Sequence, residues 1–231
     1  VNALAGDPIA ITLGYASSAA TTTAECAATL SSTTWYAAAI GLRPSAVAVG
    51  GATASETGGA TTLSATYSPT AGNCAVVFLH AGNTTGTVTC KDSKGNSLTA
   101  GPVIDNMASF YQYPIPSGVT GYTATWSTSR QACILVEEYS GVTSVDATLS
   151  GNTATGTSAT AAITVTPDES TDTVVCCLVN DNSEAMTGSI GNTRQNVTAT
   201  TGPTILMDNT PAAVMKYSYH VRAVFIGALP S

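Results

Sequence analysis

One nine-residue pattern occurs twice, and it constrains the fold of this chain more than any other feature. Ala37-Ala38-Ala39-Ile40-Gly41-Leu42-Arg43-Pro44-Ser45 and Ala223-Val224-Phe225-Ile226-Gly227-Ala228-Leu229-Pro230-Ser231 share A-x-x-I-G-x-x-P-S, offset by 186 residues from Ser45 to Ser231. Aromatic and polar residues lead into each copy, Thr33-Thr34-Trp35-Tyr36 in the first and Tyr217-Ser218-Tyr219-His220 in the second. Each copy ends at a proline, which cannot donate to a sheet ladder. Both copies therefore read as the closing strand of a β-domain. Alanine alone favours helix, but Val224, Phe225 and Ile226 of the second copy decide for strand. On this reading residues 46–231 form one β-sandwich domain, and residues 1–45 form an N-terminal extension resembling the closing strands of a preceding or neighbouring domain. A segment of that length buries too little surface to fold alone. It needs a sheet to lie against, and Tyr36, Ala38, Ile40 and Leu42 are its expected assembly strand.

Composition supports an all-β chain. Only 9% of residues are charged, against about 25% in an ordinary domain, which excludes long charged amphipathic helices. Solvation falls to Thr, Ser and Asn. A net charge of −7 leaves no basic patch for nucleic acid, and no apolar run reaches the ~18 residues of a membrane-spanning helix. Six cysteines, an even number without metal-site spacing, fit an oxidising compartment. A start at Val1 reads as a processed, secreted protein or a fragment of a longer one.

Short apolar or alternating runs recur at intervals of about 8–12 residues, the rhythm of a sandwich or jelly roll. The expected strands are 61–67, 74–80, 86–91, 97–100, 108–113, 122–127, 132–139, 144–149, 159–166, 172–180, 185–190, 196–200, 213–219 and 220–228, with 45–59 as a Gly-rich linker. Turns are expected at Ala71-Gly72-Asn73, Ala81-Gly82-Asn83, Lys94-Gly95-Asn96 and Ser150-Gly151-Asn152, where Gly and Asn tolerate turn dihedrals.

Three stretches carry a resemblance. They are Thr70-Ala71-Gly72-Asn73-Cys74-Ala75-Val76-Val77-Phe78, Val88-Thr89-Cys90-Lys91-Asp92-Ser93-Lys94-Gly95-Asn96-Ser97-Leu98-Thr99 and Ile134-Leu135-Val136-Glu137-Glu138-Tyr139-Ser140-Gly141-Val142. With the closing strand, they resemble secreted bacterial jelly-roll, Ig-like surface domains that occur singly or in tandem. Cys90-Lys91-Asp92 departs from the usual V-T-D of that group. The resemblance implies an adhesive or structural role and brings no catalytic residues.

The candidate sites each have a plain structural reading. His80 and His220 read as strand-end histidines. Glu137 and Glu138 are adjacent and so face opposite ways on a strand; they cannot form the facing carboxylate pair of a glycosidase. Asp92, Asp105, Asp181 and Glu184 sit in loops as possible Ca²⁺ oxygens, without the D-x-D-x-D-G pattern. Phe110, Tyr111, Tyr113, Tyr122 and Trp126 suit either sugar stacking or, more commonly, cross-strand packing. Asn83 and Asn196 begin glycosylation sequons. Cys74 and Cys90 lie symmetrically about Gly82 and suggest a hairpin disulfide. Cys26, Cys133, Cys176 and Cys177 then allow three pairings, with Cys176 and Cys177 pointing to opposite faces of one strand.

No catalytic, metal or cofactor constellation emerges, so a non-enzymatic role is expected. The expectation is a structural subunit of an extracellular filament or surface assembly, a homopolymer joined head to tail by strand donation from the N-terminal segment. The alternative is an adhesive or carbohydrate-binding module of a tandem-domain surface protein, with glycans as partners.

Overall fold

Two runs are apolar on both faces: Cys74–Ala81 and Thr173–Asn180 are buried at every position. A strand with that pattern must be covered above and below, and the chain supplies both covers. The computed structural model describes residues 24–43, 46–81, 87–105, 107–149, 151–169, 171–180, 186–190, 192–197 and 204–209. Its strands are β1 Ala24–Arg43, β2 Val47–Thr66, β3 Cys74–Ala81, β4 Thr89–Asp92, β5 Thr99–Ile104, β6 Met107–Gln112, β7 Gly121–Ser140, β8 Ser144–Asp146, β9 Thr153–Val165, β10 Thr173–Asn180, β11 Thr187–Ile190, β12 Asn192–Val197 and β13 Thr204–Asn209.

They form two antiparallel sheets, so the all-β expectation holds. One runs β11-β1-β10-β13-β12, with β8 and β9 also on β1; the other runs β2-β7-β3-β6-β5, with β4 also on β7. Between them lies a core of Ala38, Ile40, Leu42, Val175 and Cys177 against Val76, Phe78, Leu135 and Tyr139. Burying side chains of this size is worth about 1.5–3 kcal/mol each.

The outer faces are covered by the long strands themselves. The second half of β7 belongs to the β3 sheet. Its first half places Tyr122, Ala124 and Trp126 over Val77, Leu79 and Ile134. Five exposed residues, 127–131, mark the bend between the halves. β1 repeats the device: Trp35–Leu42 pairs with β10, while Cys26, Ala28 and Leu30 pack with Ile163 and Val165 of β9 over Cys176 and Leu178. Four layers thus enclose three cores, which is why β3 and β10 lack polar alternation. Gly156 makes room for the indole of Trp35, since a Cβ there would lie 2.7 Å from Trp35 Cζ2.

Several expectations are corrected. β1 is interior to the β10 sheet, pairing Ile40↔Val175 and Ala38↔Cys177 on one side and Ala37↔Ala154 on the other. Residues 24–43, with Tyr36, Ala38, Ile40 and Leu42, therefore pair with strands of their own chain, where a sheet outside it was the expectation. The reason is physical: β10 offers an edge that needs an apolar strand, and three residues, 44–46, link β1 to β2 at small loop-closure cost. The supposed linker 45–59 is largely the first half of β2, its small residues lying beside β7. The runs 122–127 and 132–139 are one bent strand. β13 has no counterpart among the strands expected from the sequence. Its Ile205-Leu206-Met207 core is too short to show a period, yet all three are fully buried. The second copy of the closing pattern, with the strands expected at 213–219 and 220–228, lies outside the described residues.

Candidate functional site

The densest acidic spot, on β7, divides between two faces as the strand period requires. Glu138 faces the outer core. Its carboxylate accepts hydrogen bonds from Tyr67 Oη (2.7 Å), Thr70 N (3.1 Å) and Asn73 Nδ2 (2.5 Å), fixing the β2–β3 loop. Burial alone would raise its pKa, but the bonds from Tyr67, Asn73 and Thr70 outweigh that and hold it below the usual range.

Glu137 faces the other sheet. Gln195 Nε2 on β12 donates to Glu137 Oε2 (2.6 Å) and to the carbonyl of Val136 (2.5 Å). Beside it Asp208 on β13 accepts from Arg194 Nε (2.7 Å), Arg194 Nη2 (3.1 Å) and Tyr139 Oη (3.1 Å). Burial pushes the Glu137 carboxyl up, and the Gln195 bond and Arg194 charge only partly oppose it. These five side chains clasp one sheet to the other. Their donors and acceptors are aimed at one another, a geometry that aligns sheets and leaves little for a substrate.

A second cluster pins the crossover between sheets. Arg43 at the end of β1 reaches Asp146 (3.0 Å), Asp172 (3.2 Å) and Asp168. The hydroxyl of Thr173 accepts from Ala46 N at 2.9 Å. Sequence reasoning missed Arg43, Arg194, Gln195 and Asp208. No local signal marks them, because the carboxylate partners of Arg43 and Arg194 are brought to them only by the fold.

Asp92 of the suggested Ca²⁺ set is occupied by its own turn. It accepts from Lys94 N and Asn96 N (2.9 Å each), Asn96 Nδ2 (2.8 Å) and Gln112 Nε2 (2.7 Å). Asp105 is an exposed turn residue at φ 33°; Asp181 and Glu184 lie outside the described residues. Beside Asp92 an open cleft of about 500 Å³ is lined by Thr89, Lys91, Asp92, Ser93, Gly95, Thr123 and Thr125. Register puts Thr62, Thr125 and Thr89 in one row across β2, β7 and β4. The cleft thus presents hydroxyls and one ammonium group, chemistry suited to a hydroxylated or anionic ligand.

Phe110, Tyr122 and Trp126 are core residues, as cross-strand packing implies, and Tyr111 and Tyr113 are half-buried. Asn196 lies on β12, pairing with Ile205; Asn83 and His220 lie outside the described residues. The Cys74–Cys90 disulfide is corrected. β4 pairs with β7 and not with β3, so Cys74 falls in the inter-sheet core and Cys90 in the outer one. Both are free thiols, each pushed up to about 12 by burial.

His80 is buried on β3 between Met107 and Cys133, and burial lowers its pKa from 6.5 to about 4. The unfolded chain takes up this proton below pH 6.5, and the folded chain does so only near pH 4. Stability from this group is complete above 6.5 and is lost as pH falls toward 4, by up to about 3 kcal/mol. Urea unfolding at pH 7 and pH 4.5 should show a smaller acid loss in His80→Gln than in the parent protein.

Comparison with known families, curated proteins and solved structures found no match to this chain.

Proposed function

We propose that the chain is a structural subunit of an extracellular filament or surface assembly, whose units are joined through the closing strand beside β10. One observation carries this reading: the place beside β10 is filled by the first copy of a pattern that the chain contains twice. Superposed on the register of β1, the second copy puts Val224, Ile226 and Ala228 where Ala38, Ile40 and Leu42 face the inter-sheet core. It puts Ala223 and Phe225 where Ala37 and Ala39 face the outer one.

Each chain therefore brings one slot and two copies of the sequence pattern that suits it. A slot filled from home leaves a strand over. A slot filled by a neighbour links two units with no loss of strand pairing, as in domain exchange. The linkage is then governed by local concentration, which is high where units follow one another along a filament or one polypeptide. The hydroxyl-rich, charge-poor surface suits dense packing. Donation from residues 24–43 gives way here to exchange in which the second copy is the strand left over.

Sedimentation of the purified protein under reductant, over a range of concentrations, tests this. Reversible self-association is expected, and it should vanish when residues 213–231 are removed. A protein that stays monomeric, or that associates equally well without them, refutes the reading. The threonine-lined cleft favours a second role as an adhesive glycan-binding module; binding to an acidic polysaccharide that Lys91→Ala abolishes would support it.

A further inference from the structure

Cys176 and Cys177 are adjacent on β10, and both are fully buried. Their side chains enter different cores. Cys176 lies in the outer core with Cys26, whereas Cys177 lies in the inter-sheet core with Cys133 and Cys74. Of the three pairings open to Cys26, Cys133, Cys176 and Cys177, only Cys26–Cys176 with Cys133–Cys177 keeps each bond on one side of β10. Any bond from Cys26 to Cys133 or Cys177 would have to pass through the sheet.

Direct contact between thiols marks which pair is ready to join. Facing sheets usually lie about 10 Å apart, while a disulfide needs Cα atoms about 4.4–6.8 Å apart. Cys26 and Cys176 share the outer core, with the small Ala28, Ala37, Ala39 and Ala161 among its members. The two thiols are already hydrogen-bond partners. The inter-sheet core that holds Cys133 and Cys177 also contains the larger Phe78, Met107 and Tyr139, and the causes that raise the Cys177 pKa, burial and the charge of Cys133, include no hydrogen bond between those two thiols.

We propose that Cys26 and Cys176 form a disulfide in the mature protein, a covalent lock that holds β1 in its slot. Two S–H bonds break and one S–S bond forms. Two electrons and two protons pass to a disulfide oxidant, a small-molecule or enzyme disulfide, which leaves as two thiols. Exchange needs a thiolate, and burial keeps the Cys176 proton on its sulfur well above the usual range. The bridge therefore forms during folding, before the outer layer closes, and is afterwards shielded from reductant.

The lock is specific to the first copy of the pattern, because the 186-residue offset puts Ala212 where the first copy has Cys26. Its consequence for assembly rests on the strand-exchange reading: in the oxidised chain the slot stays filled from home, and exchange with a neighbour is confined to the reduced chain.

The test is to unfold the full chain in denaturant and reductant, refold it in a glutathione redox buffer, alkylate free thiols and map peptides without reduction. A Cys26–Cys176 cross-linked peptide is expected. Cys26→Ser should lose it while Cys133 and Cys177 keep their state. Folded protein in which Cys26 and Cys176 are both alkylated, or in which Cys26 is joined to another cysteine, overturns the proposal. A protein that forms the bridge but does not self-associate even after reduction leaves the lock standing and refutes the assembly reading alone.

Discussion

Removing residues 1–45 should leave a folded chain, whereas removing them together with residues 213–231 should leave an unfolded one. With no strand in the place of β1, β10 loses its partner along Trp35–Leu42. Among the described residues, β8, β9 and β11 pair only with β1, so they lose their sheet as well. Each buried backbone group left without a partner costs about 1–3 kcal/mol, and a handful exhausts the ~5–15 kcal/mol of a typical domain.

The single truncation escapes this because the second copy fills the gap. Phe225 is larger than the Ala39 it replaces, but loss of Cys26, Ala28 and Leu30 from the outer core makes room. Leu229 replaces Arg43 and forfeits the ion pairs with Asp146 and Asp172. The truncated chain should therefore fold with lower stability than the full one. Circular dichroism and urea melts of the two truncations check this directly.

Asp208→Ala should be the most damaging polar substitution, costing about 3–5 kcal/mol. The carboxylate is fully buried, and it unites Arg194 with the buried hydroxyl of Tyr139 across the two sheets. An Arg–carboxylate pair with two bonds is among the stronger contacts a protein makes. At about 2–4 °C per kcal/mol for a chain this size, the melting temperature should fall by roughly 10 °C. Asp208→Asn keeps an acceptor and should lose about half as much. A loss under about 1 kcal/mol in Asp208→Ala would mean that the clasp is no stronger than a surface ion pair.

The sequence showed these features unevenly, and the differences have physical causes. Strands with a half-buried period or a full apolar run, such as β3, β6 and β10, were readable because burial imposes their pattern locally. Opposite facing of Glu137 and Glu138, and of Cys176 and Cys177, followed from strand period alone. Sheet membership did not, because pairing is non-local: nothing near Cys74 says that β4 pairs with β7. Bends were hidden for the same reason. The exposed stretch 127–131 looks like a turn between two strands when it is the shoulder of one. The Gly- and Ala-rich start of β2 looked like a linker because small residues are shared by linkers and by strands that pack closely. In the clasp, Arg194 and Gln195 are adjacent, but Asp208 and Glu137 reach them only through the fold.

The central claim is that one slot beside β10 accepts either copy of the closing pattern. Solution NMR of the chain lacking residues 1–45 tests it most directly, by cross-strand contacts and amide exchange at β10. The expected result is a set of contacts between Ile226 and Val175, the register that Ile40 holds in the full chain, with slow exchange from Thr173 to Val179. Rapid exchange along β10, or a folded chain in which Val175 has no contact to the second copy, would contradict it.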